Sequence, residues 1–212
     1  MNRSFWLQKW QDNEIAFHES KANPLLVNHF KQLALRQGSR VFVPLCGKTL
    51  DIGWLLSMGH NVSGIELSAI AIEQLFAELG TKPQISAVGK LTRYSEEGID
   101  IFVGDIFDLS AELLGRVDAI YDRAALVALP EEMRKRYTAH LMAITHIAPQ
   151  LLISFEYDQD LMAGPPFSVS GAEINRHYAD NYHLTLAESI DVVGGLKGKC
   201  AAMENIWLLR SR

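Results

Sequence analysis

The sequence predicts an α/β fold: a doubly wound, mostly parallel sheet with helices on both faces and an antiparallel hairpin at one edge. Three observations predict it. Short apolar, β-rich runs alternate with helix-periodic segments through the middle of the chain. One run, "QLLISFEYD" (150–158), is apolar almost throughout, as a strand buried on both faces must be. The last two strand-like runs follow one another without a helix between them, which fits a hairpin and not a crossover. Ligands of such sheets lie outside the carboxyl ends of the strands. The residues just after each strand are therefore the ones to weigh.

The elements come in order. "FWLQKWQDNEIAFHE" carries Phe5, Trp6, Trp10 and Phe17 among polar residues. "NPLLVNHFKQLAL" is roughly helix-periodic, with Asn23-Pro24 as its start. "RVFVPL" (40–45) reads as the first strand and "TLDIGWLLSMG" (49–59) as a helix ending at Gly59. "NVSGIEL" (61–67) is the second strand. "SAIAIEQLFAEL" (68–79) is a helix that Ser68 can cap, with Ile72, Leu75, Phe76 and Leu79 on one face. A loop is expected through Pro83. "GIDIFVGDIFDL" (98–109) gives a strand, a turn and a short helix, and "RVDAIYD" (116–122) a further strand. Pro130, Glu131 and Glu132 mark a helix start, with Met133, Tyr137, Leu141 and Ile144 on one face and "MRKRY" on the solvated one. "GPPFSVS" (164–170) is a loop, "GAEINRHYADNY" a helix, and "HLTLAESIDV" and "ENIWLLRS" the final hairpin. Six or seven strands result.

The size of 212 residues fits one domain with a substantial core. At 48% hydrophobic and 21% charged the composition is that of an ordinary globular protein. The net charge of -5 argues against nucleic acid or an anionic membrane as a main partner. The two cysteines, Cys46 and Cys200, offer no disulfide framework or zinc spacing, and the seven histidines show no ligand spacing, so no metal is expected. No signal-peptide run opens the chain, and no apolar stretch reaches the roughly 18 residues of a membrane span. A cytoplasmic protein without membrane association is expected.

At the first strand end, "PLCGKT" ends like a phosphate loop in Gly47-Lys48-Thr49. Phe42 stands where the first glycine of that loop belongs, and Pro44 lacks an N–H that a phosphate cradle would use. Gly47 is also too isolated for a dinucleotide fingerprint. Glu66 follows the second strand, 19 residues beyond Gly47. Carboxylates at about that spacing accept hydrogen bonds from ribose hydroxyls, although a helix-start glutamate favoured by the dipole fits as well. After the third strand, Asp105 suits a purine amino group with Ile106 beside the ring, or a cap on the following turn. After the fourth, Asp122 and Arg123 form a charged pair at the rim. A glycine turn, a ribose-type acid and an Asp-Ile pair together suit an adenosyl ligand without phosphates, such as S-adenosylmethionine.

The segments "FWLQKWQDNEIAFHE", "VFVPLCGKTLDIGWL", "GHNVSGIELS", "GDIFDL", "YDRAALVALP", "EYD" and "GPPFSVS" resemble, in order and spacing, the bacterial form of the thiopurine S-methyltransferase family, from about Phe5 to the C-terminus. Lys82 to Tyr94 is the least recognisable stretch. The resemblance implies a Rossmann-like class I methyltransferase with a seven-stranded sheet. It implies a single domain over 1–212, in which 1–37 is an N-terminal helical lid segment and 38–212 the core. S-adenosylmethionine is the implied methyl donor and a small aromatic or heterocyclic thiol the implied partner. It places cofactor contacts on Trp10, Leu45, Glu66 and Arg123, with Asp105 and Ile106 flanking the adenine, and Phe17 on the acceptor pocket. Arg123 is expected near the acceptor or the cofactor carboxylate, and the 164–167 loop can wall the acceptor pocket. Cys46 is read as a small buried hydrophobe and Lys48 as incidental. No general base is identified, and a monomer is expected. Methylation of another soft acceptor (selenium, tellurium or halide) and a non-catalytic adenosyl sensor are the competing readings.

Overall fold

The computed structural model describes residues 3–15 and 18–212. Five strands form its parallel centre: β1 (Arg40–Pro44), β2 (Asn61–Glu66), β5 (Ile99–Val103), β6 (Ala119–Arg123) and β7 (Gln150–Tyr157). Four more are antiparallel: β3 (Gln84–Val88) and β4 (Leu91–Glu96) at one edge, β8 (Tyr182–Asp191) and β9 (Ala202–Ser211) at the other. Among the described residues the order is β3-β4-β5-β2-β1-β6-β7-β9-β8. The chain winds outward from β1 through β2 to β5, then returns to the far side of β1 for β6 and β7. The carboxyl ends of β1 and β6 thus flank the switch point where such sheets bind ligands.

Alternation along the strands builds both cores. Phe42, Ile120 and Leu152 face one side, while Val41, Val43, Tyr121, Leu151 and Ile153 face the other. The first side packs on α6 (Glu131–Thr145) and α7 (Gly171–Tyr178) through Tyr137, Leu141, Ile144, Ile174 and Tyr178. The second packs on α2 (Pro24–His29), α3 (Asp51–Ser57) and α4 (Ala69–Leu79) through Leu26, Ile52, Leu55, Ile72 and Phe76. Asn23 caps α2, accepting from the N–H groups of Leu25 and Leu26, and Ser68 caps α4 through the N–H of Ala71. Helix α1 (Arg3–Gln11) lies over the carboxyl ends of the strands, and α5 (Ala111–Leu114) is a single turn after β5.

Three expectations are corrected. The sheet has nine strands where seven were expected, and each edge carries a hairpin. The extra pair, β3 and β4, follows the expected loop and falls largely in the least recognisable stretch. Strand β3 is exposed along most of its length, so it lacks the apolar alternation that marks a strand. Its turn is the remaining signal: Gly89, with φ +62, joins Val88 to Leu91. The helix expected through 23–35 is split, because α2 ends at His29 and a 3₁₀ turn, Phe30–Leu33, carries the chain to Ala34 in a left-handed conformation. Finally, "MRKRY" is not wholly solvated. Arg134 is 4% exposed and makes a two-pronged ion pair with Glu173 of α7, at 2.6 and 3.0 Å. No helix among the described residues is long and apolar enough to cross a membrane.

Candidate active site

A cavity of about 1110 Å³ opens at the carboxyl ends of the central strands, beneath α1. Its floor on one side is the turn after β1. Leu45, with φ +47, and Gly47, with φ +52, both adopt left-handed backbone there. For Leu45 that costs roughly 1 kcal/mol, and the surrounding bonds hold it in place. The N–H of Cys46 donates to the carbonyl of Ile65 at 3.0 Å. The N–H of Gly47 donates to Oε2 of Glu66 at 2.9 Å, and the N–H of Ser68 to Oε1 at 2.9 Å. One carboxylate thereby ties the β1 turn to the start of α4.

Glu66 is 6% exposed. Burial pushes its carboxyl above the usual carboxylate range, opposed by N–H groups of Ser68, Gly47 and Leu67. Each carboxylate oxygen has a second acceptor site, so two ribose hydroxyls can still be bound. The same geometry excludes a phosphate loop. The N–H of Gly47 is already taken, and the acceptor is an acid that would repel phosphate. Lys48 is committed to Glu78 at 2.8 Å. Cys46 is buried, and its Sγ packs against the backbone at Gly64.

Gly47 also explains the roof. A Cβ there would lie 3.0 Å from a ring carbon of Trp10, so the indole rests on the glycine turn. Trp10 is 5% exposed and lines the cavity with Phe5 and Trp6, also on α1.

After β5, Asp105 does two things. Its Oδ1 accepts from the N–H of Phe107 at 3.0 Å, capping the 3₁₀ turn, while Oδ2 lies 3.7 Å from Arg3 of α1. Ile106 is buried against the cavity, and its carbonyl is bonded to His140 of α6 at 2.8 Å. Asp105 thus caps the turn with one oxygen and borders the cavity with the other.

After β6, Arg123 and Asp122 part company, which corrects the expected charged pair. Successive strand residues face opposite ways. Arg123 enters the cavity and pairs with Glu19. Asp122 is fully buried, accepting from the hydroxyl of Tyr137 at 2.6 Å and the N–H of Leu126 at 3.1 Å. Burial pushes its carboxyl up to about 6.

Several site groups escaped the sequence reading. Asp51, 1% exposed, accepts from the N–H of Asn23 at 2.7 Å and the hydroxyl of Tyr121 at 2.9 Å. With the Glu19–Arg123 pair, it pins residues 19–23 beside the cavity. His18 lines the wall with its pKa lowered, chiefly by burial and then by Lys48. Phe155, Lys197 and Glu204 also line the cavity, together with Gly164, Pro165 and Pro166 of the loop weighed as a pocket wall. The 164–167 loop has cis bonds at Pro165 and Pro166. The Phe167 N–H donates to the carbonyl of Val127 at 2.7 Å, and Arg134 lies over the Phe167 ring. Lys197 donates to the carbonyl of Pro165 at 2.7 Å. The structure thus brings together Trp10, Leu45, Glu66, Asp105, Ile106 and Arg123 on one cavity. Phe17 lies outside the described residues. Among the described residues no group of three His, Cys, Asp or Glu side chains is placed to hold a metal ion.

The family model described as thiopurine S-methyltransferase (TPMT) matches residues 1–211. A thiopurine S-methyltransferase of Xanthobacter autotrophicus is 56% identical over 99% of both chains. One of Teredinibacter turnerae is 52% identical over 99% of this chain and 97% of its own. Among solved structures, the fold is similar to a Burkholderia thailandensis 1,6-didemethyltoxoflavin-N1-methyltransferase with bound S-adenosylhomocysteine. Its TM-score is 0.66 at 16% identity, over 99% of this chain and 87% of that one. It is also similar to an S-adenosylmethionine-dependent methyltransferase of Anabaena variabilis, with TM-score 0.65 at 12% identity over 99% and 96%.

Proposed function

The chain belongs to the thiopurine S-methyltransferase family, and we propose from that premise how its cavity divides between donor and acceptor. The protein is an S-adenosylmethionine-dependent methyltransferase that methylates the sulfur of small aromatic or heterocyclic thiols such as thiopurines. Glu66 and the Gly47 turn hold the ribose, Asp105 and Ile106 the adenine, and Leu45 the backbone edge between them. Arg123, opposite, marks the acceptor side. The observation that carries this division is the Glu66 carboxylate, buried at the end of β2 beside the β1 turn and bonded to the Gly47 N–H.

The residues fit an adenosyl donor. The cavity has a carboxylate for hydroxyls, a second carboxylate beside an apolar wall for a purine edge, and aromatic rings above for a cation. S-adenosylmethionine supplies an electrophilic methyl on a sulfonium. This chain's residues align the acceptor with it, and alignment is where the rate gain arises. Arg123 stabilises the sulfur as thiolate, the nucleophilic form. Helix α1, with Trp10 on the glycine turn, acts as a lid that excludes water, and Phe17 is assigned to the acceptor side.

Incubating the protein with methyl-labelled S-adenosylmethionine and a panel of thiols, selenols and oxyanions tests the reading. The label should appear on the sulfur of aryl thiols, with one S-adenosylhomocysteine released per methyl. Cofactor binding without transfer to any acceptor would overturn it in favour of a sensor.

A further inference from the structure

A neutral thiol must lose a proton as its sulfur is methylated, and neither the family nor the cofactor half of the cavity says where that proton goes. We propose that Glu204, at the start of β9, takes it. This rests on the S-methyl transfer just described. In the step, the acceptor sulfur forms a bond to the methyl carbon, and the donor's carbon–sulfur bond breaks with its electron pair left on the donor sulfur. The proton of the acceptor S–H, or of the ring N–H in a thione tautomer, passes to a carboxylate oxygen of Glu204 and then to solvent.

Register places Glu204 there. Arg123 of β6 is the partner of Ile153 on β7. Two residues further along the same face of β7 comes Phe155, and its partner across β9 is Glu204. Arg123, Ile153, Phe155 and Glu204 all line the cavity. The neighbouring Asn205 faces the other way, bonded to Glu156 at 3.2 Å and Ser189 at 2.6 Å. Glu204 therefore lines the cavity two strands beyond Arg123, across β7, and away from Glu66.

The charged groups around it suit a proton acceptor. Burial raises the Glu204 carboxyl and Glu19 raises it further, while Arg123 opposes both. Arg123 comes from β6 and Glu19 from the segment before α2. Lys197 of the β8–β9 loop and Lys9 of α1 line the same cavity, and on β8 the partner of Glu204 is the apolar Ile190. A carboxylate made more basic than usual is better matched to a thiol. The rivals are less suited. Glu19 is committed to Arg123, with 40% of its side chain exposed. Burial and Lys48 make the His18 ring a weaker base.

The test is Glu204→Gln in the full chain, with kcat/KM measured against pH for two acceptors. One is an aryl thiol already ionised at neutral pH, the other a weakly acidic thiol. The expected loss is on the order of 100-fold with the weakly acidic thiol at pH 7. It should shrink as pH rises through that thiol's own pKa and be small with the ionised thiol, with S-adenosylhomocysteine affinity unchanged. Equal losses for both thiols at every pH, or no loss with the weak one, would overturn the proposal. So would a His18→Gln variant that reproduces the selective loss while Glu204→Gln does not. If Glu204→Gln does not fold by its melting transition, Glu204→Asp must show the same selectivity in smaller degree, and its absence there overturns the assignment. Wild-type inactivity toward both thiols would sink the S-methyl reading itself, a separate failure.

Discussion

The two halves of the cavity are held together in different ways. On the donor side, the β1 turn, Glu66 and the start of α4 are locked by backbone N–H groups, all within about 30 residues of chain. On the proposed acceptor side, Glu19, Arg123, the 164–167 loop and Glu204 come from four distant stretches that line one cavity, with Glu19 and Arg123 joined by an ion pair. A main-chain lock presents one rigid shape, as a single constant donor requires. Ion pairs and a loop wall can adjust to acceptors of varied outline. On the proposed division, cofactor affinity belongs to the first half and acceptor chemistry to the second.

The largest expected effect breaks the donor side. Glu66→Ala strips the acceptor from two buried N–H groups and from the ribose hydroxyls. S-adenosylhomocysteine affinity should fall on the order of 100-fold, from about 3 kcal/mol of lost bonding. Calorimetric titration reads it, and unchanged affinity would remove Glu66 from the site. Next comes Arg123→Ala on the acceptor side. It removes a charged hydrogen-bond donor worth about 2 kcal/mol, so kcat/KM toward an aryl thiol should drop roughly 30-fold. Arg123→Lys should recover part of the loss. Unchanged kinetics in Arg123→Ala would show the acceptor half is set elsewhere.

A smaller effect joins the halves through the roof. Gly47→Ala puts a methyl 3.0 Å from the Trp10 ring on backbone with φ +52. The strain of about 1 kcal/mol should weaken cofactor binding by roughly fivefold. Adding Trp10→Ala should relieve part of that penalty, and strictly additive effects in a double-mutant cycle would show that the indole does not rest on the turn.

The smallest effect lies outside the cavity, at Asp122. Its folded-state pKa is raised from 3.8 to about 6. Between those values the folded protein binds more protons than the unfolded chain, so this group makes stability fall as pH rises. The change should be about 1 kcal/mol between pH 5 and pH 6. Denaturant melts of the wild type and Asp122→Asn over that range should show the fall only in the wild type.

Legibility in the sequence runs along the same division. The parallel centre was legible because buried strands and amphipathic helices leave opposite periodicities, and residues after each parallel strand identified Glu66, Asp105, Ile106 and Arg123. Glu204 was missed for a geometric reason. Strand β9 runs antiparallel to β7, so its cavity end is its beginning, and a search of the residues beyond each strand's carboxyl end never reaches it. Nothing in the sequence marked Asp51 or Glu19, because their partners, Asn23 with Tyr121 and Arg123, are distant in the chain. Arg134 looked solvated for the same reason, since Glu173 neutralises it from 39 residues away. Strand β3 gave no pattern because it buries almost nothing.

A crystal structure with S-adenosylhomocysteine and an aryl thiol tests the division of the cavity most directly. The ribose hydroxyls should lie on the Glu66 carboxylate beneath Trp10, with the acceptor sulfur between the cofactor sulfur and the Arg123–Glu204 side. An adenosyl group seated on the Arg123 side, or ribose hydroxyls away from Glu66, would contradict it.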